Sequence, residues 1–233
     1  MTAGMLILLF AIAVSLLAWL IYASASIRSG IYVHALCRIE TDKKVVALTF
    51  DDAPHSQQTP RILEILRHYN VKAAFFCIGR HIEQHPDIIS RIAAEGHLIG
   101  NHSYSHSNFF PLLTPRKMRE DLAHCEDLID SIIPADRRLR LFRPPFGVTN
   151  PTVASAVRLG GYITIGWNIR SLDTVRDTDA AFNRIVKQLK PGSVILLHDR
   201  LPQSHLLLTM LLDYLKKEEY EVVNIDTLFD LKH

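Results

Sequence analysis

Short runs of β-branched and aromatic residues alternate with amphipathic stretches through most of this 233-residue chain, and this alternation restricts its fold more than any other feature. The runs predict seven strands, at 44–50, 71–78, 98–101, 139–142, 162–167, 193–198 and 221–225. Thr59-Pro60, Thr114-Pro115 and Asn150-Pro151 each put a capping side chain before a proline, which predicts helix starts. Strands separated by helices predict an α/β fold with a mostly parallel sheet, either open and doubly wound or closed as a barrel.

The N-terminal segment, residues 1–27, contains no charged side chain. Residues 5–25 form an apolar run about as long as the roughly 20 residues that cross a bilayer as a helix. Ala23-Ser24-Ala25 has the small residues of a signal cleavage site, but no basic segment precedes the run, which exceeds the usual ~7–15 apolar residues of a signal sequence. We therefore expect a transmembrane anchor rather than a cleaved signal at 1–27, a linker at 28–43 and one domain at 44–233.

Composition excludes several classes of function. The 26 Lys and Arg nearly balance the 24 Asp and Glu and form no basic block, so we expect no nucleic-acid partner. Three widely spaced cysteines, Cys37, Cys77 and Cys125, cannot build a disulfide framework or a four-cysteine zinc site. The first predicted strand is not followed by a phosphate-binding glycine motif, which argues against a nucleotide-binding doubly wound fold.

Titratable side chains gather at the carboxyl ends of the predicted strands, which lie on one face of a parallel barrel, where enzymes of that architecture build their sites. They are Asp51, Asp52, His102, His106, Arg143, Asp173 and His198. On a helical turn, His102 and His106 would share one face and could bind one metal ion, although a pair of surface histidines is the alternative. Adjacent residues of an extended strand point in opposite directions, so Asp51 and Asp52 can divide into a metal ligand and a base.

Two further residues are ambiguous when taken alone. Arg143 precedes the stiff Pro144-Pro145 segment, where it could pair with a carboxylate or form a weak surface salt bridge. His198 ends an apolar strand, where a histidine is more often structural than catalytic. Trp167 is expected in the core or in a pocket wall.

Taken together, these residues match a known pattern. The chain resembles the polysaccharide deacetylases, carbohydrate esterases built on the NodB homology domain. Thr49-Phe50-Asp51-Asp52-Ala53-Pro54 resembles the family's TFDDGP motif, and His102-Ser103-Tyr104-Ser105-His106 its H(S/T)xxH motif. Arg143-Pro144-Pro145-Phe146 and Leu196-Leu197-His198 are similar to its RxPY/F and LxH motifs. The four motifs occur in family order.

The resemblance implies a distorted, incomplete (β/α) barrel of about seven parallel strands. It also implies one divalent metal ion, most often zinc in such enzymes, held by Asp52, His102 and His106. Asp51 would be the general base, oriented by Arg143, and His198 the general acid. Leu196 would line the acetyl pocket, with Trp167 in the pocket wall and the backbone N–H of Phe146 near the oxyanion.

Two segments depart from the family pattern. Ala53 stands in place of the usual glycine, and Arg170 and Thr174 stand where Asp-x-x-Asp-Trp has its first Asp and its Trp. We expect Asp173 to supply the carboxylate that supports His198.

The expected function is metal-dependent removal of N-acetyl groups from amino sugars of a cell-wall or envelope polysaccharide. The alternatives are a deformylase or deacetylase of a lipid-linked sugar, and a catalytically silent, metal-containing carbohydrate-binding protein. Arg28, Arg38, Lys43 and Lys44 follow the span, which by the positive-inside rule favours a cytoplasmic domain. Envelope polysaccharide lies outside, and long domains translocate largely regardless of flanking charge, so we expect the anchored domain to face the periplasm or cell exterior.

Overall fold

The computed structural model describes residues 2–133 and 138–232. Its helices are α1 (Ala3–Ala25), α2 (Gln58–His68), α3 (Gly79–Gln84), α4 (Pro86–Ala94), α5 (Pro115–Asp130), α6 (Pro151–Gly160), α7 (Thr178–Gln188), α8 (Ser204–Lys217) and α9 (Ile225–Phe229). Its strands are β1 (Val45–Ala53), β2 (Ala74–Cys77), β3 (Leu98–Asn101), β4 (Leu141–Phe142), β5 (Ile163–Thr164), β6 (Ile169–Arg170), β7 (Ser193–His198) and β8 (Glu221–Val222).

The strands form one parallel sheet in the order β5-β4-β3-β2-β1-β7-β6, with β8 added beside β1. The predicted incomplete barrel of seven parallel strands is therefore confirmed. All seven predicted strand positions carry a strand, and β6 is an additional short strand that the sequence patterns do not reveal. Because every strand runs the same way, the carboxyl ends of β1, β3, β4, β6 and β7 open on one face.

Capping residues explain where two of the predicted helices begin. The Thr114 hydroxyl accepts a hydrogen bond from Lys117 N, and the Asn150 side chain accepts one from Val153 N. The third prediction is wrong, because Thr59 lies inside α2 rather than before it. Its hydroxyl accepts from His55 N and is hydrogen-bonded to the Asp199 carboxylate, so it ties α2 to the end of β7.

Both faces of the central strands are covered, which is why these strands read as continuous apolar runs rather than as alternating ones. Ala47, Phe76, Leu141 and Val194 belong to the cluster that fills the barrel interior. Leu48, Phe50, Phe75 and Leu197 belong to the larger cluster beneath α2, α4 and α8, and a third cluster lies under α5 and α6. The packed interior gives the strand ends fixed positions, and the site depends on those positions.

The segment 28–43, expected to be a linker, packs on the open side of the barrel. Leu36 pairs with Ile165 after β5, and Arg38 pairs with Ser193 at the start of β7. Ile27 and Val33 are buried. Main-chain hydrogen bonds of this segment therefore link the end of β5 to the start of β7.

Helix α1 is apolar all round, has a mean hydropathy of 2.7, and is exposed over the membrane-length window. Length and composition allow either a transmembrane anchor or a signal sequence. Its last turn contacts the domain: Thr149 N donates to Ser24 O at 2.9 Å, and the Thr149 hydroxyl donates to Ala23 O at 3.2 Å. Ala23 is fully buried by this contact.

Candidate active site

A cavity of about 220 Å³ opens at the carboxyl ends of the strands. It is lined by Asp51, Asp52, His102, His106, Phe146, Gly147, Trp167, Arg170, Thr174, Leu196, His198 and Arg200. Of the ten residues singled out from the sequence or the resemblance, eight line the cavity, and the other two, Asp173 and Arg143, are hydrogen-bonded to His198 and Asp51 in its wall. The structure thus gathers residues that are up to about 150 positions apart in the chain into one site.

The two aspartates at the end of β1 approach the same histidine. Asp51 Oδ2 and Asp52 Oδ1 are each 3.8 Å from His102 Nε2. The expectation that alternation along an extended strand separates them is wrong, because the register of β1 against β2 shifts between Asp51 and Ala53. Asp52 has φ of 69° at this bulge, which turns its carboxylate toward the cavity.

The two histidines are brought together by a loop and not by a helical turn. Ser103 and His106 have φ of 66° and 43°, and the Ser103 hydroxyl accepts from His106 N at 2.9 Å. Asp121 of α5 accepts from the backbone N–H groups of Tyr104 and Ser105. The imidazole rings of His102 and His106 consequently lie 4.8 Å apart.

Asp52, His102 and His106 offer ligand atoms that all lie within 4.8 Å of one another. A carbonyl oxygen can only accept, so His102 Nδ1 carries the proton it donates to Arg143 O at 2.7 Å, which leaves Nε2 free as a ligand. Two nitrogens and one carboxylate oxygen are a donor set that suits a divalent metal ion with a position left open. The residues present therefore fit such an ion.

The electrostatics of this trio favour the protonation states that metal binding requires. Burial by itself would raise the pKa of Asp52, but the charges of His102, His106 and His198 and a hydrogen bond from Arg200 lower that pKa to about 2. Burial, together with neighbouring His102, lowers the pKa of His106 to about 4. At neutral pH the site thus holds a carboxylate and a neutral imidazole.

Arg143 is completely buried and holds Asp51 in place. Its Nη1 donates to Asp51 Oδ1 at 2.7 Å and to the Thr49 hydroxyl at 2.9 Å. Its remaining donors reach the carbonyls of Ile165 and Gly166, and its guanidinium stacks 4.1 Å from the Phe76 ring centroid. All of these contacts lie inside the barrel, so Arg143 is a buried structural residue and does not form a surface salt bridge.

His198 and Asp173 form the contact expected from the altered Asp-x-x-Asp-Trp segment at 170–174. The Asp173 carboxylate accepts from His198 Nδ1 and from the His198 backbone N–H, both at 2.8 Å. Burial alone would lower the pKa of His198, but the hydrogen bond and charge of Asp173, with the charges of Asp51 and Asp52, outweigh it and raise the pKa. Nε2 remains available to face the cavity.

The apolar part of the cavity wall comes from Leu196, Trp167 and Phe146. Phe146 has φ of 61° and lies with its ring 4.8 Å from that of His106. Gly147 follows with φ of 70°, and a Cβ there would collide with the Trp167 ring, so glycine is needed both for the turn and for the wall.

Two hydrogen bonds to Asp52 were not predicted from the sequence. Arg200 Nε donates to Asp52 Oδ2 at 2.7 Å, and His81 Nδ1 donates to the Asp52 carbonyl at 3.0 Å. Arg170, which replaces the family's first aspartate, lines the cavity mouth. The position of Arg200 just beyond the carboxyl end of β7 is the signal that could have identified it, whereas nothing in the local sequence marks His81.

The geometry agrees with comparisons to known proteins. Residues 38–165 match the family model described as polysaccharide deacetylase. The chain belongs to the polysaccharide deacetylase family. It is therefore a hydrolase of carbon–nitrogen bonds other than peptide bonds, with an Asp-His-His candidate metal site.

Two relatives of this chain are peptidoglycan deacetylases, and one similar structure is that of a pseudoenzyme. A peptidoglycan-N-acetylglucosamine deacetylase of Bacillus cereus is 31% identical over 203 residues, covering 84% of this chain and 92% of the relative. A peptidoglycan-N-acetylmuramic acid deacetylase of Bacillus subtilis is 30% identical over 192 residues, covering 81% of this chain and 72% of the relative. The structure of a pseudoenzyme of the same esterase family from Bacillus anthracis has a TM-score of 0.77 at 29% identity, covering 84% of this chain and 69% of that one.

Proposed function

We propose that this protein is a zinc-dependent deacetylase of N-acetylated amino sugars in peptidoglycan or a related envelope glycan, anchored by α1 with its domain outside the cytoplasm. The observation that carries the proposal is that one cavity holds a metal-ligand trio, a carboxylate fixed by Arg143 and a histidine fixed by Asp173. Amide hydrolysis needs these three functions together.

Asp51 is proposed as the general base. It lies beside the ligand trio and is held in position by its 2.7 Å ion pair with the buried Arg143, so it can remove the proton of the attacking water. A zinc ion on Asp52, His102 and His106 would supply Lewis acidity, lowering the pKa of water to about 7 and polarising the acyl oxygen. The backbone N–H of Phe146 is proposed to stabilise the developing oxyanion.

His198 is proposed as the general acid. The carboxylate of Asp173 raises the pKa of His198, which keeps the imidazole protonated to higher pH. Nδ1 is occupied by Asp173, so Nε2 delivers the proton to the leaving amine. Leu196 and Trp167 would enclose the acetyl methyl group.

The anchor is supported by the contact between α1 and the domain. Cleavage after Ala25 would remove the carbonyls of Ala23 and Ser24, to which Thr149 donates two hydrogen bonds. The mass of the isolated protein measures this directly: the full chain is expected, and a mass lacking residues 1–25 would show a cleaved signal.

Acetate release from N-acetylated peptidoglycan fragments tests the activity. The full chain and the exposed-site control Asp42→Asn should release acetate at similar rates, and Asp51→Asn about 10²–10⁴ times more slowly. Release of formate from a lipid-linked N-formyl sugar instead would favour the second reading, a lipid-linked sugar deformylase. Metal bound with neither product released would favour a silent carbohydrate-binding protein.

Protease added to cells with a permeabilised outer membrane tests the orientation. The domain should be digested together with a periplasmic control. Complete protection while that control is degraded would place the domain in the cytoplasm.

A further inference from the structure

The loop 107–113 presents two large apolar side chains to solvent. Phe109 is 71% exposed and Leu112 is 79% exposed. Between them Phe110 is fully buried, and with Leu113 it belongs to the cluster under α5 and α6, so the loop is held firmly from inside. Because its underside is packed, the loop forms a fixed apolar protrusion on the protein surface.

The same loop lies beside the base of helix α1. Asn150 Nδ2 donates to Pro111 O at 2.6 Å, and the preceding residue, Thr149, is the one that binds the carbonyls of Ala23 and Ser24. Val33, just after α1, joins Phe110 in one cluster. The protrusion and the end of the membrane-length helix are therefore connected through adjacent residues of one short segment.

Basic side chains follow the apolar protrusion directly. Arg116, Lys117 and Arg119 are exposed on the first turns of α5, where Arg116 also pairs with Glu120 at 2.7 Å. Apolar side chains next to an exposed basic cluster are the pattern of surfaces that lie in the bilayer interface, where apolar groups enter the acyl boundary and cations meet anionic headgroups.

We propose that loop 107–113 docks the domain onto the bilayer that holds α1, with Phe109 and Leu112 inserted and Arg116 and Lys117 at the phospholipid headgroups. His106, a residue of the metal-ligand trio, directly precedes this loop. Docking there holds the mouth of the cavity at the membrane surface, so the site meets glycan that is tethered to or lies against the membrane. The inference rests on the proposed anchoring of α1.

Tryptophan quenching in nanodiscs with brominated acyl chains tests the docking. The full chain carries Trp19→Phe to remove the indole in α1, and Phe109→Trp or Leu112→Trp introduces the probe. The emission of the native Trp167, recorded in the Trp19→Phe chain, is subtracted. The control is Leu206→Trp, at a residue that is 52% exposed on α8, which packs against α2 and α7. Insertion of ~5–10 Å should reduce the introduced emission about twofold or more at positions 109 and 112, and little at 206.

Equal quenching at all three positions, or none at 109 and 112, would overturn the assigned orientation. Co-migration of the chain with nanodiscs is recorded in the same samples. A chain that leaves the nanodiscs contradicts the anchor, whereas one that stays but is not quenched contradicts the docking alone.

A rate comparison tests the consequence for substrate. Phe109→Ser combined with Leu112→Ser changes exposed side chains, so the fold should persist. The kcat/KM for a soluble N-acetylglucosamine oligomer should stay within about twofold, while that for the same oligomer carried on a lipid in vesicles should fall about tenfold or more. Equal values on the vesicle substrate for the variant and the parent would refute the role of the loop.

Discussion

Replacing Asp173 by Asn tests how the Asp173 carboxylate supports His198, the proposed general acid. The substitution keeps size and shape but removes the negative charge that accepts two 2.8 Å hydrogen bonds from His198. An amide can accept only through its oxygen, so one of the two bonds is also lost. The side chains of His198 and Asp173 are 12% and 4% exposed, so solvent screens this pair little.

The size of the effect follows from the kind of bond that is lost. A hydrogen bond to a charged group contributes about 1.5–3 kcal/mol, and each 1.36 kcal/mol of barrier is tenfold in rate, so kcat/KM should fall about 10- to 100-fold at neutral pH. Asp173 raises the pKa of His198, and its neutralisation must lower it. An acid with a lower pKa loses its proton earlier, so the alkaline limb of the kcat/KM profile should move to lower pH.

Two measurements check this prediction. Acetate release is followed across pH, and the imidazole nitrogen chemical shifts of His198 are titrated in the protein without substrate. Asp177→Asn is the matched control, since it removes the same charge four residues away while the asparagine can still cap α7. An alkaline limb and a His198 titration that both stay where they are in the parent would refute the role assigned to Asp173.

Three further predictions concern the metal ligands, the buried arginine and a core histidine. Asp51→Asn should keep the metal by elemental analysis but lose about 10²–10⁴ in rate, whereas Asp52→Asn should lose metal; identical behaviour would contradict the assigned roles. Arg143→Met should leave the Asp51 charge buried and unpaired, and lower the free energy of unfolding in urea by about 3–5 kcal/mol. An unchanged urea midpoint would contradict the structural role of Arg143. Burial, together with Lys72, lowers the pKa of His97 to about 4, below the ordinary 6.5. As pH falls, the unfolded chain therefore binds a proton at His97 before the folded chain does. The free energy of unfolding should decrease by about 3 kcal/mol between pH 6.5 and pH 4. His97→Gln should flatten that part of the stability curve, and an unaltered slope would assign it to other groups.

Local patterns were enough to determine the elements and most of the candidate site. These patterns are apolar runs of strand length, a proline after Thr114 or Asn150, and an uninterrupted 23-residue apolar helix. Each involves only consecutive residues, so it is visible in the sequence. The rule that parallel strands end on one face then predicted that Asp51, His102 and His198 meet.

Only the closed sheet decided how those side chains meet. The bulge that turns Asp52 into the cavity depends on the register of β1 against β2, and the loop that joins His102 to His106 depends on Asp121 of α5. Pairings across long stretches of chain, such as Arg200 with Asp52, arise because the barrel brings β7 next to β1. No local period encodes such contacts, since their energy comes from packing between segments that are distant in sequence.

The same distinction applies to the surface that we propose contacts the membrane. The sequence displayed an apolar helix, because hydropathy is a property of consecutive residues. The structure alone put the loop of Phe109 and Leu112 beside the end of that helix, through Thr149 and Asn150. A surface made of residues from three separate segments exists only once the core beneath it has packed, which is why the chain read in order does not reveal it.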